Sequence, residues 1–162
     1  MTLKIVSAAV LTASCFFAGN AAGDRLKMRC EDLSDLISAL IKTENYIEGL
    51  SLPLPRIYER LSGEGRVGQM FKAVLDGSGT VREIWENGLS LTALSEEDKK
   101  EVMRLSAVLG ADGRKQQQKH IELCLSELEK NLEDAEKRQK LDGALYKRMG
   151  AYIGALAAII LF

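Results

Sequence analysis

Residues 114–148 read RKQQQKHIELCLSELEKNLEDAEKRQKLDGALYKR, and the fold turns on this stretch. It has no proline and a single glycine, Gly143, and it is built mainly from Gln, Glu, Lys, Leu and Ala, all strong helix formers. Ile121, Leu125, Leu128, Leu132 and Ala135 recur at alternating steps of four and three. The same rhythm runs back to Gln118 and Arg114 and on to Gln139, Asp142, Tyr146 and Met149. Such alternation draws a narrow apolar seam along one side of a helix, as in a coiled-coil pair. A helix of this length is on the order of 50 Å long. Its seam needs a partner, because an isolated amphipathic helix gains most of its stability from packing.

Residues 24–49 supply that partner. Leu26, Cys30, Leu33, Ile37, Leu40, Glu44 and Ile47 step by four and three in the same way. If both chain ends lie in one membrane, the two long helices run antiparallel. Cys30 is then close to the membrane and Cys124 far from it, which argues against a disulfide between them. Glu44 interrupts the seam and is read as a polar contact there, with a helix end or with a basic group of a partner.

Between the long helices the chain reads as short helical pieces. Pro53 and Pro55 are the only prolines, and both suit the first turn of a short helix over residues 55–61. Residues 63–68, GEGRVG, formally match a dinucleotide-binding fingerprint. No strand precedes them and no βαβ unit surrounds them, and Gln69-Met70 stand where a phosphate-binding loop needs Lys-Ser or Lys-Thr. The stretch is therefore read as a linker. Residues 67–75 and 80–87 are expected as short helices, with Met70, Phe71, Val74, Ile84 and Trp85 in the core. Ser95 can cap a further helix whose first turn carries Glu96, Glu97 and Asp98. Gly110 has the character of a C-terminal cap for it. No strand signal rises anywhere. The fold class is all-α: an antiparallel helical bundle with two long helices and several short ones.

Both ends are apolar. Residues 5–22 are apolar or small apart from Ser7, Thr12, Ser14 and Asn20, with Lys4 before them and Arg25, Lys27 and Arg29 after. The segment suits either a membrane anchor or a cleaved signal peptide with small residues near Ala22. Thr12-Ala13-Ser14-Cys15 faintly resembles a lipoprotein cleavage box, with Leu11 one position early for it. Residues 149–162 are apolar throughout but span only about 21 Å as helix, so Leu145 and Tyr146 must lengthen the segment and Lys147 and Arg148 must snorkel. Basic residues lie on the inner side of both apolar segments, which predicts two anchors and a cytoplasmic middle. The expected organisation is an anchor at 1–23, a cytoplasmic helical bundle domain at 24–148 and a C-terminal membrane segment at 149–162.

The inventory for catalysis is thin. His120 is the only histidine, and Cys15, Cys30 and Cys124 are an odd number with no CxxC spacing. That pattern argues against a disulfide framework and against a zinc site. The 22 basic and 23 acidic residues balance to a net charge of -1, so nothing marks a global nucleic-acid surface. No enzyme and no cofactor is expected.

By residues 109–129, LGADGRKQQQKHIELCLSELE, the chain resembles the stage III sporulation protein AB family. Gly110, Gln117, Gln118, Lys119, His120 and Ile121 match the family's pattern, as do Glu44, Ile47, Pro53, Leu54 and Trp85. The family's Asp is displaced by one position to Asp112, with Gly113 in its usual place, and Gly49-Leu50 stand where the family often has Tyr-Gly. The resemblance implies a sporulation protein of spore-forming Firmicutes, anchored in the mother-cell membrane around the forespore. Its helical domain is similar to that of type II secretion F platform proteins. By that analogy it is a non-enzymatic platform and adaptor that couples a cytoplasmic ATPase, the AA protein of the same operon, to a channel complex. Partner contacts are then expected at Glu44, Pro53, Leu54, Gln117, Gln118 and His120. An exported helical protein or lipoprotein with a cleaved signal peptide is the alternative, and self-association is left open.

Overall fold

A computed structural model describes the backbone of residues 2–110 and 113–161, and the side chains of Ser14 and of residues 21–110, 113 and 115–141. The described residues form six helices and no strand: α1 (Thr2–Gly49), α2 (Leu54–Leu61), α3 (Arg66–Asp76), α4 (Val81–Ser90), α5 (Glu96–Val108) and α6 (Arg114–Leu161). The apolar N-terminal segment and the first seam are thus parts of one 48-residue helix, and α6 has the same length. The chain divides into two compact units, Met1–Met28 with Asp134–Phe162, and Arg29–Glu133. Among the described residues no helix is long and apolar enough to cross a membrane. The side chains of nearly all of 5–22, and all of 149–162, the expected membrane segments, lie outside the described ones.

In the unit Arg29–Glu133 the long helices run antiparallel. Arg29 of α1 and Asn131 of α6 both hydrogen-bond Asp98, at 2.8 and 2.9 Å. Fifteen residues further along α1, Glu44 feels the charge of Glu122, nine residues back along α6. This register sets Leu33 near the level of Leu128 and Leu40 near that of Ile121, and all four are fully buried. Each such leucine stabilises the fold by about 1.5–3 kcal/mol relative to exposure.

The expectation of a narrow seam on α1 needs correcting. A second stripe, Asp32, Leu36, Ala39, Thr43 and Tyr46, repeats the four-three rhythm beside the first, and its first four members are buried. It faces the short helices: Asp32 binds Arg66 at the start of α3, and Arg60 of α2 lies 5.2 Å above the Tyr46 ring. The Thr43 hydroxyl is satisfied by donating to the Ala39 carbonyl at 2.9 Å. A polar residue at two of its five places disguises the stripe as surface. On α6, Cys124 and Asn131 similarly widen the buried face towards α5, the Cys124 thiol donating to the Glu101 carbonyl at 3.9 Å. Burial, and then Glu101, push that thiol up to about 12. Cys30 and Cys124 are both buried, and neither is in a disulfide.

The short helices start and stop where local chemistry dictates. Pro53 is the N-cap of α2 and Pro55 lies in its first turn, as expected for a ring that supplies no N–H. Thr80 caps α4 and Ser95 caps α5, each in a reciprocal box with Glu83 or Asp98. Gly110 follows the α5 C-cap with φ +87°, the left-handed conformation that glycine adopts without strain. Tyr58, Phe71 and Trp85 form the aromatic centre, with ring centroids 5.8–6.2 Å apart. Burial pushes the Tyr58 phenol up to about 12.

Residues 63–68 prove to be more than a linker, since Arg66 already begins α3. Gly65 is its N-cap at φ +86°, and Gly68 packs against the backbone of Gly63. A Cβ on Gly68 would lie 2.6 Å from the Gly63 carbonyl oxygen and 2.8 Å from its nitrogen. Gly68→Ala is therefore expected to destabilise the protein by about 1–3 kcal/mol through overpacking. Helix propensity alone predicts a gain of about 1 kcal/mol, so the sign of the change in denaturation midpoint decides between them.

Candidate partner-binding site

Where α1 ends, α2 begins and α6 starts, the chain encloses a pocket of about 240 Å³ lined by Ile47, Ser51, Leu52, Pro53, Leu54 and Gln117. Three of the residues singled out in the sequence, Pro53, Leu54 and Gln117, meet here. Helix α1 stops at Gly49 and the chain reverses through Ser51, whose φ of +49° is the one left-handed backbone among described non-glycine residues. The Leu52 amide then donates back to the Tyr46 carbonyl at 3.2 Å, and Pro53 launches α2. Leu54 reaches the other wall, where its Cδ1 comes within 3.1 Å of the point a Cβ on Gly110 would occupy.

One turn back along α1 from Ile47, Glu44 is half-buried and does not line the pocket. Burial first, then the carboxylates of Glu122 and Glu48, push Glu44 above its ordinary range. Among the described residues, the groups that act on it are carboxylates. Gln118 and His120 are half-buried on α6 but do not line the pocket. In the sequence Ile47 is marked as a seam position and family match but not as a contact, and Ser51, Leu52 and Glu122 are not singled out. Glu122 looks in the sequence like any solvated helix glutamate, because its neighbour across the hairpin is set by register.

Two buried aspartates hold the frame behind the site. Asp98, with its side chain fully buried, accepts from Arg29 Nε at 2.8 Å and Nη2 at 3.0 Å, from Asn131 Nδ2 at 2.9 Å, and from the Ser95 amide and hydroxyl at 2.9 and 2.7 Å. Burial opposes its charge, but the bonds from Arg29 and Ser95 outweigh it and hold the carboxyl below the usual carboxylate range. Asp32 accepts from Arg66 Nε at 2.8 and 2.9 Å and from the Ala93 amide at 2.6 Å. These two side chains tie α1 to α3, α5, α6 and the turn between α4 and α5. From the sequence only one of them stands out, Asp98, as an acid in the first turn of the helix that Ser95 caps. Among the described residues, no cluster of histidine, cysteine or carboxylate side chains is arranged to hold a metal ion.

The family model for stage III sporulation protein AB matches residues 4–162. The chain belongs to the stage III sporulation protein AB family. It is 25% identical over 169 residues to the stage III sporulation protein AB of Bacillus subtilis (strain 168), an alignment covering 98% of this chain and 99% of that relative. No solved structure matches it. Family membership makes this a sporulation protein, and no enzyme family is indicated.

Proposed function

We propose that the chain is a membrane-anchored platform and adaptor, without catalysis of its own, that couples a cytoplasmic ATPase to a channel complex between mother cell and forespore. Its place is the mother-cell membrane around the forespore. The observation that carries this reading is the pair of 48-residue helices. α1 enters the unit Arg29–Glu133 from the apolar N-terminal segment, and α6 leads from that unit into the apolar C-terminal one. Basic residues flank both segments on the domain side, which favours retention of the middle in the cytoplasm. The unit between them offers a rigid helical frame with a small surface pocket, a form suited to binding another protein.

Single cysteines at Glu64 and Ser78, both exposed, test the topology in a background lacking Cys15, Cys30 and Cys124. Gly77 is unsuitable, because a Cβ there would lie 2.9 Å from the Ala73 carbonyl and from Ile84. With a membrane-impermeant thiol reagent, protection in intact cells and labelling after lysis are expected, together with co-purification of the sporulation ATPase from solubilised membranes. Labelling in intact cells would end the adaptor reading and leave an exported helical protein in its place.

A further inference from the structure

The groove between α4 and α5, of about 1120 Å³, has an apolar floor of Val81, Leu89, Met103 and Ala107. Four cations stand around it, Arg82, Lys99, Lys100 and Arg104. Arg82 pairs with Glu86, Lys99 with Glu96 and Arg104 with Glu101, each one turn apart. Lys100 is exposed and has no carboxylate partner among the described residues. A complementary surface therefore brings an aliphatic side chain and a carboxylate. The chain carries such a surface on its own α6. Among the described residues, the large aliphatic side chains exposed on helices are Ile41, Leu75, Val81, Leu123 and Leu141. Ile41 and Leu123 have a carboxylate one turn further along the same helix, Glu44 and Glu127, and the other three have none a turn away.

We infer that a second copy of this chain docks in the groove, its Leu123 on Met103 and Ala107 and its Glu127 on Lys100. Heights in the bundle select this face. Asn131 of α6 bonds Asp98 of α5, and the Cys124 thiol reaches the Glu101 carbonyl, so the two helices run antiparallel. Lys100 is then near the level of Glu127, and Met103 near that of Leu123. Copies anchored in one membrane are related by a rotation about its normal, which leaves every residue at its own height. Such a rotation brings Glu127 to Lys100 and Leu123 to the apolar floor with no shift along the helices. Ile41 fails this condition: twelve residues along α1 from Arg29, the partner of Asp98, it lies past the end of α5. Glu127 holds Lys130 of its own helix through Oε1 at 2.8 Å, an exposed pair of little worth that leaves Oε2 for Lys100. The contact is head-to-tail, groove to α6, so its repetition about the normal builds a ring rather than a closed pair. The shared membrane comes from the adaptor reading, and the inference rests on that reading to this extent.

The test reconstitutes the full chain into lipid vesicles as donor- and acceptor-labelled copies, each labelled through Glu64→Cys in the background lacking the other cysteines. Energy transfer that rises and saturates with the protein-to-lipid ratio is expected, and unlabelled protein should compete it away. Lys100→Glu and Glu127→Lys alone should each weaken association about tenfold, and the two in one chain should restore it to within about threefold. Leu123→Asp should weaken it about tenfold as well. The melting midpoints of these variants in dilute detergent, where copies are apart, should stay at the wild-type value, since all three side chains are exposed in the single chain. No saturable transfer, transfer that neither charge reversal changes, or failure of the double reversal to restore it overturns the proposal. So does loss of ATPase co-purification with Lys100→Glu while transfer is absent, which assigns the groove to a foreign segment. An ATPase that fails to co-purify with wild type ends the adaptor reading alone, and the pair of reversals still decides the docking.

Discussion

Asp98→Ala is expected to cost about 3–5 kcal/mol of stability, the usual penalty for removing one partner of a buried ion pair. The carboxylate receives five hydrogen bonds from three parts of the chain, Arg29 on α1, Ser95 at the start of α5 and Asn131 on α6. Its loss strands the mostly buried guanidinium of Arg29 and removes half of the α5 capping box. An exposed pair provides the contrast: Arg82→Ala, which breaks the link to Glu86, should change stability by less than about 1 kcal/mol. Denaturant titration of the solubilised protein can be followed through Trp85, the only tryptophan, buried beside Phe71 and Tyr58. The same carboxylate gives a pH dependence of known sign. Its folded-state pKa is lowered, so its contribution is complete above the unfolded value of about 3.9 and is lost as pH falls through the lower folded value. Wild type should therefore lose stability below about pH 4 more steeply than Asp98→Ala. Parallel acid limbs for the two proteins would sink the account of Asp98 as a charged tie.

The second large effect belongs to the hairpin seam. Leu128→Asp and Leu33→Asp should each destabilise the protein by more than about 4 kcal/mol. Deleting a buried leucine to alanine already costs about 2–5 kcal/mol. The aspartate adds the desolvation of a buried carboxylate. Both positions are fully buried, at levels that the antiparallel register brings close together. Leu123→Asp tests the geometry rather than the chemistry. Leu123 lies on the same helix, but its 57% exposure puts it off the seam, and a change within about 0.5 kcal/mol is expected. Near-normal melting of both seam variants would refute the pairing of α1 with α6.

What could be read from the residues alone follows from local rules. The four-three rhythm of Leu33, Ile37 and Leu40 and of Ile121, Leu125 and Leu128 marks helix faces, because each turn returns a side chain to the same side. Caps at Pro53, Ser95 and Gly110 depend on a few backbone groups next to one another. The apolar runs at both ends and their basic flanks are read from the residues in the same way. The resemblance in residues 109–129 reached the family, which composition and periodicity could not have named.

Tertiary structure decided the rest, for a common reason: the partners are far apart in the chain. Asp32 reads as a surface carboxylate until Arg66 and the Ala93 amide, 34 and 61 residues away, close over it. Asp98 reads as a first-turn acid of a helix until Arg29 and Asn131 arrive from two other helices. Burying a charge costs heavily unless such partners are present, so whether a given aspartate is inside depends on contacts that no local pattern encodes. The same holds at the candidate site. Gln117 lies more than sixty residues of sequence from Pro53 and Leu54 yet lines the same pocket, and Glu122 becomes the neighbour of Glu44 only through the hairpin's register. The sequence by itself determined the helices, their seams and the family. Only the packed hairpin determined which polar residues are buried and which carboxylates face one another, because both are set by distances between segments rather than along them.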